Sequence, residues 1–224
     1  GVRMELYIYN QNRDLVGIVE SFEYLRWTRR YSQCGSFELK AISTPENATL
    51  LQEGNIIWKS DDEEAGIIEY LKLSQTDREF ITVSGRFATS LLARRIVWGT
   101  EKLSGDLSVC VEQLLNHNLI NPSDSARQIT GISFSSPNLG VPVSTQISYR
   151  NLMDAVTGLC DASDVGIKTV FNEAAGTFTA KLYNGAVSQA VFSKEYENLT
   201  EQVYTESETD YANTALIGGE GEGA

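Results

Sequence analysis

Four consecutive carboxylates, Asp61, Asp62, Glu63 and Glu64, are the residues of this chain best placed to do chemistry. Two carboxylates flanking a glycosidic bond can hydrolyse it, one as acid and the other as base or nucleophile. The acid must keep its proton near neutral pH, which requires burial or a neighbouring negative charge. These four lie in a polar turn between Trp58 and Ile67, which predicts solvated side chains and no such shift. A calcium loop would alternate its ligands around a central glycine, and DDEEAG does not alternate. The single histidine, His117, stands between Asn116 and Asn118 at the end of a helical pattern, where a surface residue favours the helix terminus. It has no nucleophile motif to serve as base: GxSxG, HExxH, the P-loop and the GxGxxG turn are all missing from the sequence. The glycines of LIGGEGEG follow a strand pattern but precede no helix that could offer its N-terminus to a phosphate.

Cys34, Cys110 and Cys160 are widely spaced, with no CxxC pair. Cys110 and Cys160 fall in helical patterns and read as buried free thiols, which suits a reducing compartment. Trp27, Trp58 and Trp98 each have apolar neighbours in or near strand runs, which predicts core packing; exposed platforms for sugar are the alternative. No catalytic, cofactor or metal site is expected.

The elements that must position these residues are mostly strands. Alternation of apolar and polar residues predicts strands over 2–9, 15–27, 35–42, 55–59, 66–74 and 79–84, with a short helix over 45–51. From Ile81 to Val97 the pattern changes from period 2 to a helical period. Gly85 would make the turn, and the spacings Phe87–Leu91 and Leu92–Ile96 predict an α-helix from Arg86. Arg94 and Arg95 then fall in its last turn, where cations suit the helix dipole. They would pair within the chain or, alternatively, with the acidic face of a neighbouring subunit.

Leu107, Val111, Leu114 and Leu115 mark a helix capped by Asp106, and Leu152, Val156 and Leu159 mark another capped by Ser148, with Gly166 near its end. A loop over 121–142 holds one short strand at 132–135. A hairpin follows, 167–171 with 177–183, closed by Asn184-Gly185. Strand patterns resume at 190–193, 199–205 and 211–217, and are expected to return to the N-terminal sheet.

The chain has 224 residues, 42% of them hydrophobic, and a net charge of −12. Its size allows one large domain or two small ones. The charge argues against a nucleic-acid partner, which needs clustered cations. No apolar run reaches the roughly 20 residues of a membrane span. The residues after Lys194 include eight acids (Glu195, Glu197, Glu201, Glu206, Glu208, Asp210, Glu220, Glu222) and no base. Such a run most often forms a solvated surface, but it would also attract the more basic start of a neighbouring subunit.

Several segments, in order, resemble the siphophage tail-hub (baseplate hub) proteins, the gene-product-37-like tail proteins of long-tailed phages and prophages. They are YSQCGSFEL (31–39), GNII (54–57), GIIE (66–69), Gly85 to Ile96, NLMDAVTGLCDASDVG (151–166) and DYANTALIGG (210–219). The resemblance implies a β-rich α+β protein: an antiparallel barrel-like tube domain over 1–100 plus 190–224, split by a small helix–helix–hairpin domain over 101–189. It implies a chain that continues past Ala224. It also implies a non-enzymatic virion component, a homotrimeric hub ring that assembles in the bacterial cytoplasm. That ring would join the tail tube and neighbouring tail proteins to the host-facing tip, and meet the host surface through it. Gly35, Phe37, Gly66, Ile67, Gly85, Leu91, Leu92, Arg94 and Arg95 would form its structural and assembly motif. A cell-surface or carbohydrate-binding β module is the alternative, and a tail-associated cell-wall hydrolase a more distant one.

Overall fold

Alternation builds the first half of the molecule. In Ser36–Ile42, Phe37, Leu39 and Ala41 are buried while the residues between them are half-exposed, as the two-residue period of a strand requires. The computed structural model describes residues 4–75 and 77–186. Seven strands come first: β1 (Leu6–Tyr9), β2 (Leu15–Val19), β3 (Tyr24–Thr28), β4 (Ser36–Ile42), β5 (Ile56–Lys59), β6 (Ala65–Gln75) and β7 (Glu79–Phe87). They form one sheet in the order β2-β1-β5-β6-β7-β4-β3, every neighbouring pair antiparallel. The run expected as a single strand over 15–27 is two, β2 and β3, on opposite edges. Helix α1 (Pro45–Leu50) starts with proline in its first turn, and the Thr44 side chain accepts from the Asn47 amide.

The second half is mixed. Strands β8 (Thr100–Asp106) and β10 (Pro142–Ser148) pair as an antiparallel ribbon. Helices α2 (Leu107–Leu115) and α3 (Leu152–Ala162) pack on each other, and a π turn, Asn116–Ile120, extends α2. A three-stranded sheet has the order β11 (Val165–Asn172), β12 (Thr177–Asn184), β9 (Ile132–Phe134), with β9 parallel to β12. Asp106 caps α2 as expected. Helix α3 is capped by Asn151, three residues past the expected Ser148, because Asn151 Oδ1 accepts from the amides of Met153 and Asp154. The left-handed residue after α3 is Asp164, at φ 52°. Gly166 instead lies within β11, under the Tyr183 ring.

Two cores result. One holds Leu6, Ile8, Phe37, Leu39, Ile57, Ile68, Ile81, Val83 and Phe87, with Leu50 and Leu51 of the α1 segment. The other holds Ile56, Ala65, Ile67, Leu91 and Leu92 with the apolar faces of α2, α3, β11 and β12. The adjacent pairs Ile56–Ile57 and Ile67–Ile68 send one side chain into each core, so β5 and β6 are covered on both faces.

The protein is therefore a sheet-rich α+β structure with few helices. Among the described residues the large sheet is open, with β2 and β3 as its edges, and no closed barrel is formed. The strands expected over 190–217 lie outside the described residues. No described helix is long and apolar enough to cross a membrane.

Candidate assembly site

The glycines of the expected motif mark where strands and rings approach too closely for a side chain. Gly85 was expected to turn the chain. It lies instead inside β7, opposite a bulge in β6, where register passes from Ile68–Gly85 to Tyr70–Ser84 and leaves Glu69 unpaired. A Cβ on Gly85 would overlap the Ile67 carbonyl oxygen. The extra residue, Glu69, is clamped by Arg86: Nη2 donates to Oε1 at 2.7 Å and Nε to Oε2 at 2.9 Å. This two-pronged bond to Arg86 holds the Glu69 carboxyl below its ordinary pKa. At Gly66 a Cβ would strike the Phe37 ring, and at Gly35 it would meet the Phe87 ring and lie 2.6 Å from the Thr28 carbonyl oxygen. Gly35, Phe37, Gly66, Ile67 and Gly85 thus meet across β4, β7 and β6. Trp27 completes the cluster, with its ring centroid 4.6 Å from that of Phe87 and 5.8 Å from that of Phe37.

The helix expected from Arg86 starts at Ala88 and is a 3-10 helix, Ala88–Arg94. The strand continues to Phe87 because the β7 ladder still pairs there. With three residues per turn, the spacing of four does not define one face. Leu91 and Leu92 are both buried in the second core, while Ile96 is exposed. Arg94 closes the helix and Arg95 follows it. Arg95 is spent on backbone: its guanidinium donates to the carbonyl oxygens of Arg94, at 2.8 Å, and of Arg127. Arg94 is exposed. Among the described residues no carboxylate lies within 4.0 Å of it.

The carboxylate turn is solvated as expected at Asp61 and Glu63, which are exposed, but not at the other two acids. Glu64 is 4% exposed, and the Asp62 side chain is equally covered. The cause is tertiary: β11 lies over the turn, with Glu64 bridged to Val170 and the Phe171 amide donating to the Glu63 carbonyl at 2.9 Å. Asp62 organises the turn. It accepts from Trp27 Nε1 at 3.0 Å and from the Glu64 amide at 2.9 Å, and its carbonyl accepts from Trp58 Nε1 at 2.8 Å. Arg29 Nε lies 3.8 Å from both Asp62 and Glu64, and Lys168 pairs with Glu63. Burial pushes the Glu64 carboxyl up to about 7, against the pull of the Thr169 backbone. A general acid must reach a leaving-group oxygen; Glu64, held beneath β11, faces protein.

Trp27 and Trp58 pack as expected, but Trp98 does not. It is 66% exposed, edge-on to Tyr149, which is 67% exposed. Its neighbours along the chain misled: the side chain of Val97 turns inward and that of Trp98 outward. His117 accords with its expected place, exposed with Nδ1 3.0 Å from Glu101. Cys110 and Cys160 are buried free thiols, and burial pushes Cys160 up to about 12. Among the described residues no group of three His, Cys, Asp or Glu side chains is disposed to hold a metal.

The fold that carries these features is that of a phage tail protein. It is similar to prophage tail protein gp18 from Listeria monocytogenes EGD-e, with a TM-score of 0.55 and 14% identity over 79% of this chain and 50% of that one. Weaker likenesses are to the MuSo2 prophage 43 kDa tail protein of Shewanella oneidensis and the tail protein of Neisseria meningitidis MC58. The first has a TM-score of 0.49 and 14% identity, covering 80% of this chain and 56% of that one. The second has 0.46 and 10%, covering 79% and 51%. The chain spans about half the length of these structures. No curated protein matches its sequence. The family model described as Siphovirus ReqiPepy6 Gp37-like protein matches residues 5–224, and the chain belongs to that family.

Proposed function

We propose that this protein is a structural component of a phage or prophage tail tip, three copies forming a hub ring between the tail tube and the host-facing end. The observation that carries this reading is the family match across residues 5–224. The open sheet supports it. Among the described residues edge strand β2 pairs only with β1 and presents Leu15, Val16 and Ile18 to solvent, and an apolar edge of this kind is a template for pairing with a further strand. In this reading residues 1–100 and 190–224 belong to the barrel-like tube domain and residues 101–189 are its insert; the glycine–aromatic cluster shapes the tube domain's own sheet, and the Leu91–Leu92 corner packs the insert against it. The ring assembles in the bacterial cytoplasm, its partners are neighbouring tail proteins, and it catalyses nothing. Closed rings need heterologous interfaces, in which two different patches meet.

Sedimentation velocity across a concentration series tests the reading. The expected species has three times the chain mass and appears as a ring by negative-stain microscopy. A chain that stays monomeric up to millimolar concentration, or one that binds glycans on an array without self-associating, would overturn it.

A further inference from the structure

One exposed face joins arginines to aromatic rings with no acid among them. A shallow cleft is lined by Arg94, Ile96, Trp98 and Arg127, and none of its lining residues is acidic. The Arg127 guanidinium lies over the Trp98 ring, 5.3 Å from its centroid, and is fixed by donating to the Ile96 carbonyl at 2.6 Å. Tyr149 stands edge-on to the same indole, in the segment after β10; its amide donates to the Gly99 carbonyl at 3.2 Å, and Asn151 of that segment bridges Ile96. Arg94 beside them lies within 4.0 Å of no carboxylate among the described residues; its charge reaches Glu69, but that carboxylate is already clamped by Arg86. In a chain of net charge −12 this cationic, aromatic face runs against the general balance. Trp, Tyr and Arg are the side chains that dominate interface energetics, and here they are held in place before any partner arrives.

We propose that this face docks a second copy of the chain and receives its acidic stretch from Glu195 to Asp210. The inference rests on the self-assembly reading above and names the two patches that meet. Charge complementarity selects the occupant. That stretch carries Glu195, Glu197, Glu201, Glu206, Glu208 and Asp210 with no basic residue, and the tyrosines Tyr196 and Tyr204 can stack on an indole. Carboxylates meet Arg94 and the outer edge of Arg127, and an aromatic ring covers Trp98. The contact is heterologous, as a closed ring demands, and it weakens with added salt.

Sedimentation of the full chain tests it with three variants: Arg94→Glu, Trp98→Ala, and the triple reversal Glu206→Lys, Glu208→Lys, Asp210→Lys. Arg94 and Trp98 are exposed, so both face variants should keep the wild-type melting temperature. Each variant alone should self-associate at least about tenfold more weakly. An equimolar mixture of Arg94→Glu with the triple reversal should recover association as heterodimers and not as closed rings, because one intact patch of each kind remains and makes one contact. Trimers that form with unchanged affinity in Arg94→Glu and Trp98→Ala would overturn the inference and leave the trimer reading standing. Dimers or open chains that depend on Arg94 and Trp98 would uphold the contact and overturn the trimer. Association that is lost in the variants but not recovered on mixing would overturn the pairing of these two patches.

Discussion

A glycine in a strand ordinarily weakens it, because it buries nothing and loses more backbone freedom than other residues. Gly85 is kept in β7 by the bulge opposite, which brings the Ile67 carbonyl oxygen to where a Cβ would stand. Gly85→Ala should therefore lower stability by about 1–3 kcal/mol in urea denaturation, although alanine is the smaller perturbation almost anywhere else. Glu64 gives a prediction of opposite kind. Its carboxyl faces Asp62 in its own turn, Arg29 and Cys34 from the β3–β4 segment, Lys168 and the Thr169 backbone from β11, and Tyr183 from β12. Its pKa rises from an ordinary 4.5 to about 7, so the folded protein binds the extra proton. Stability is then greatest below about pH 4.5 for this group, and falls as pH rises from there through about 7. Glu64→Gln should flatten that decline and stabilise the protein at pH 8 by on the order of 2–3 kcal/mol. A pH series of denaturation midpoints that falls equally steeply in the variant would show that another group causes the decline. Neither effect is legible locally. Four acids between two strands look solvated, and only the return of the chain about a hundred residues later, in β11, covers Glu64 and Asp62 among them.

At the scale of elements, the legible parts are those in which one face of a regular element does the packing. The strands β4 and β7, the hairpin β11–β12 and the N-cap Asp106 show in the sequence, because their signals are local. The ribbon β8–β10 does not. Of β8 only Leu103 is buried, so no alternation marks it. The Gly85–Ile96 segment shows the right change of direction but the wrong helix, since a 3-10 turn leaves no four-residue stripe. Leu91→Ala and Leu92→Ala should each cost roughly 2–5 kcal/mol, because both side chains are buried in the second core. Asp106 ties three elements. It accepts from the Ser108 hydroxyl at 2.5 Å, from the Ser108 and Val141 amides at 2.9 Å, and from the Leu139 amide at 3.3 Å. The Ser108 hydroxyl leads these donors in pulling its pKa down to about 2. A depressed carboxylate stabilises above its ordinary pKa near 4 and loses that contribution as pH falls toward 2. Asp106→Ala should cost about 1–2 kcal/mol at pH 7, and the gap to wild type should narrow below pH 3.

Over the whole molecule, the boundary near residue 100 separates two kinds of structure without separating two cores. Ile56, Ala65 and Ile67 of the seven-stranded sheet lie in the same apolar cluster as Val111, Val156 and Leu182. Three connections of the sheet also hold the later elements. Arg13 in the β1–β2 turn donates to the carbonyls of Thr130, at 2.6 Å, and Gly176, at 3.1 Å. Tyr31 and Ser32 bond Asp164 and Asp161 at 2.8 and 2.7 Å, and the carboxylate turn holds β11. A block that buries its apolar face on a neighbour has little stability of its own. Far-UV circular dichroism and tryptophan fluorescence should accordingly give coincident urea transitions, as a two-state unit does. Ile67→Ala, at the shared face, should move both by the same amount. If the variant split the curves, with fluorescence of Trp27 and Trp58 unchanged and a helical signal lost early, the two cores would be separate folding units. The residues after 100 would then behave as an autonomous domain inserted in the sheet; a single shifted transition would instead make them and the sheet one cooperative body, as the shared core requires.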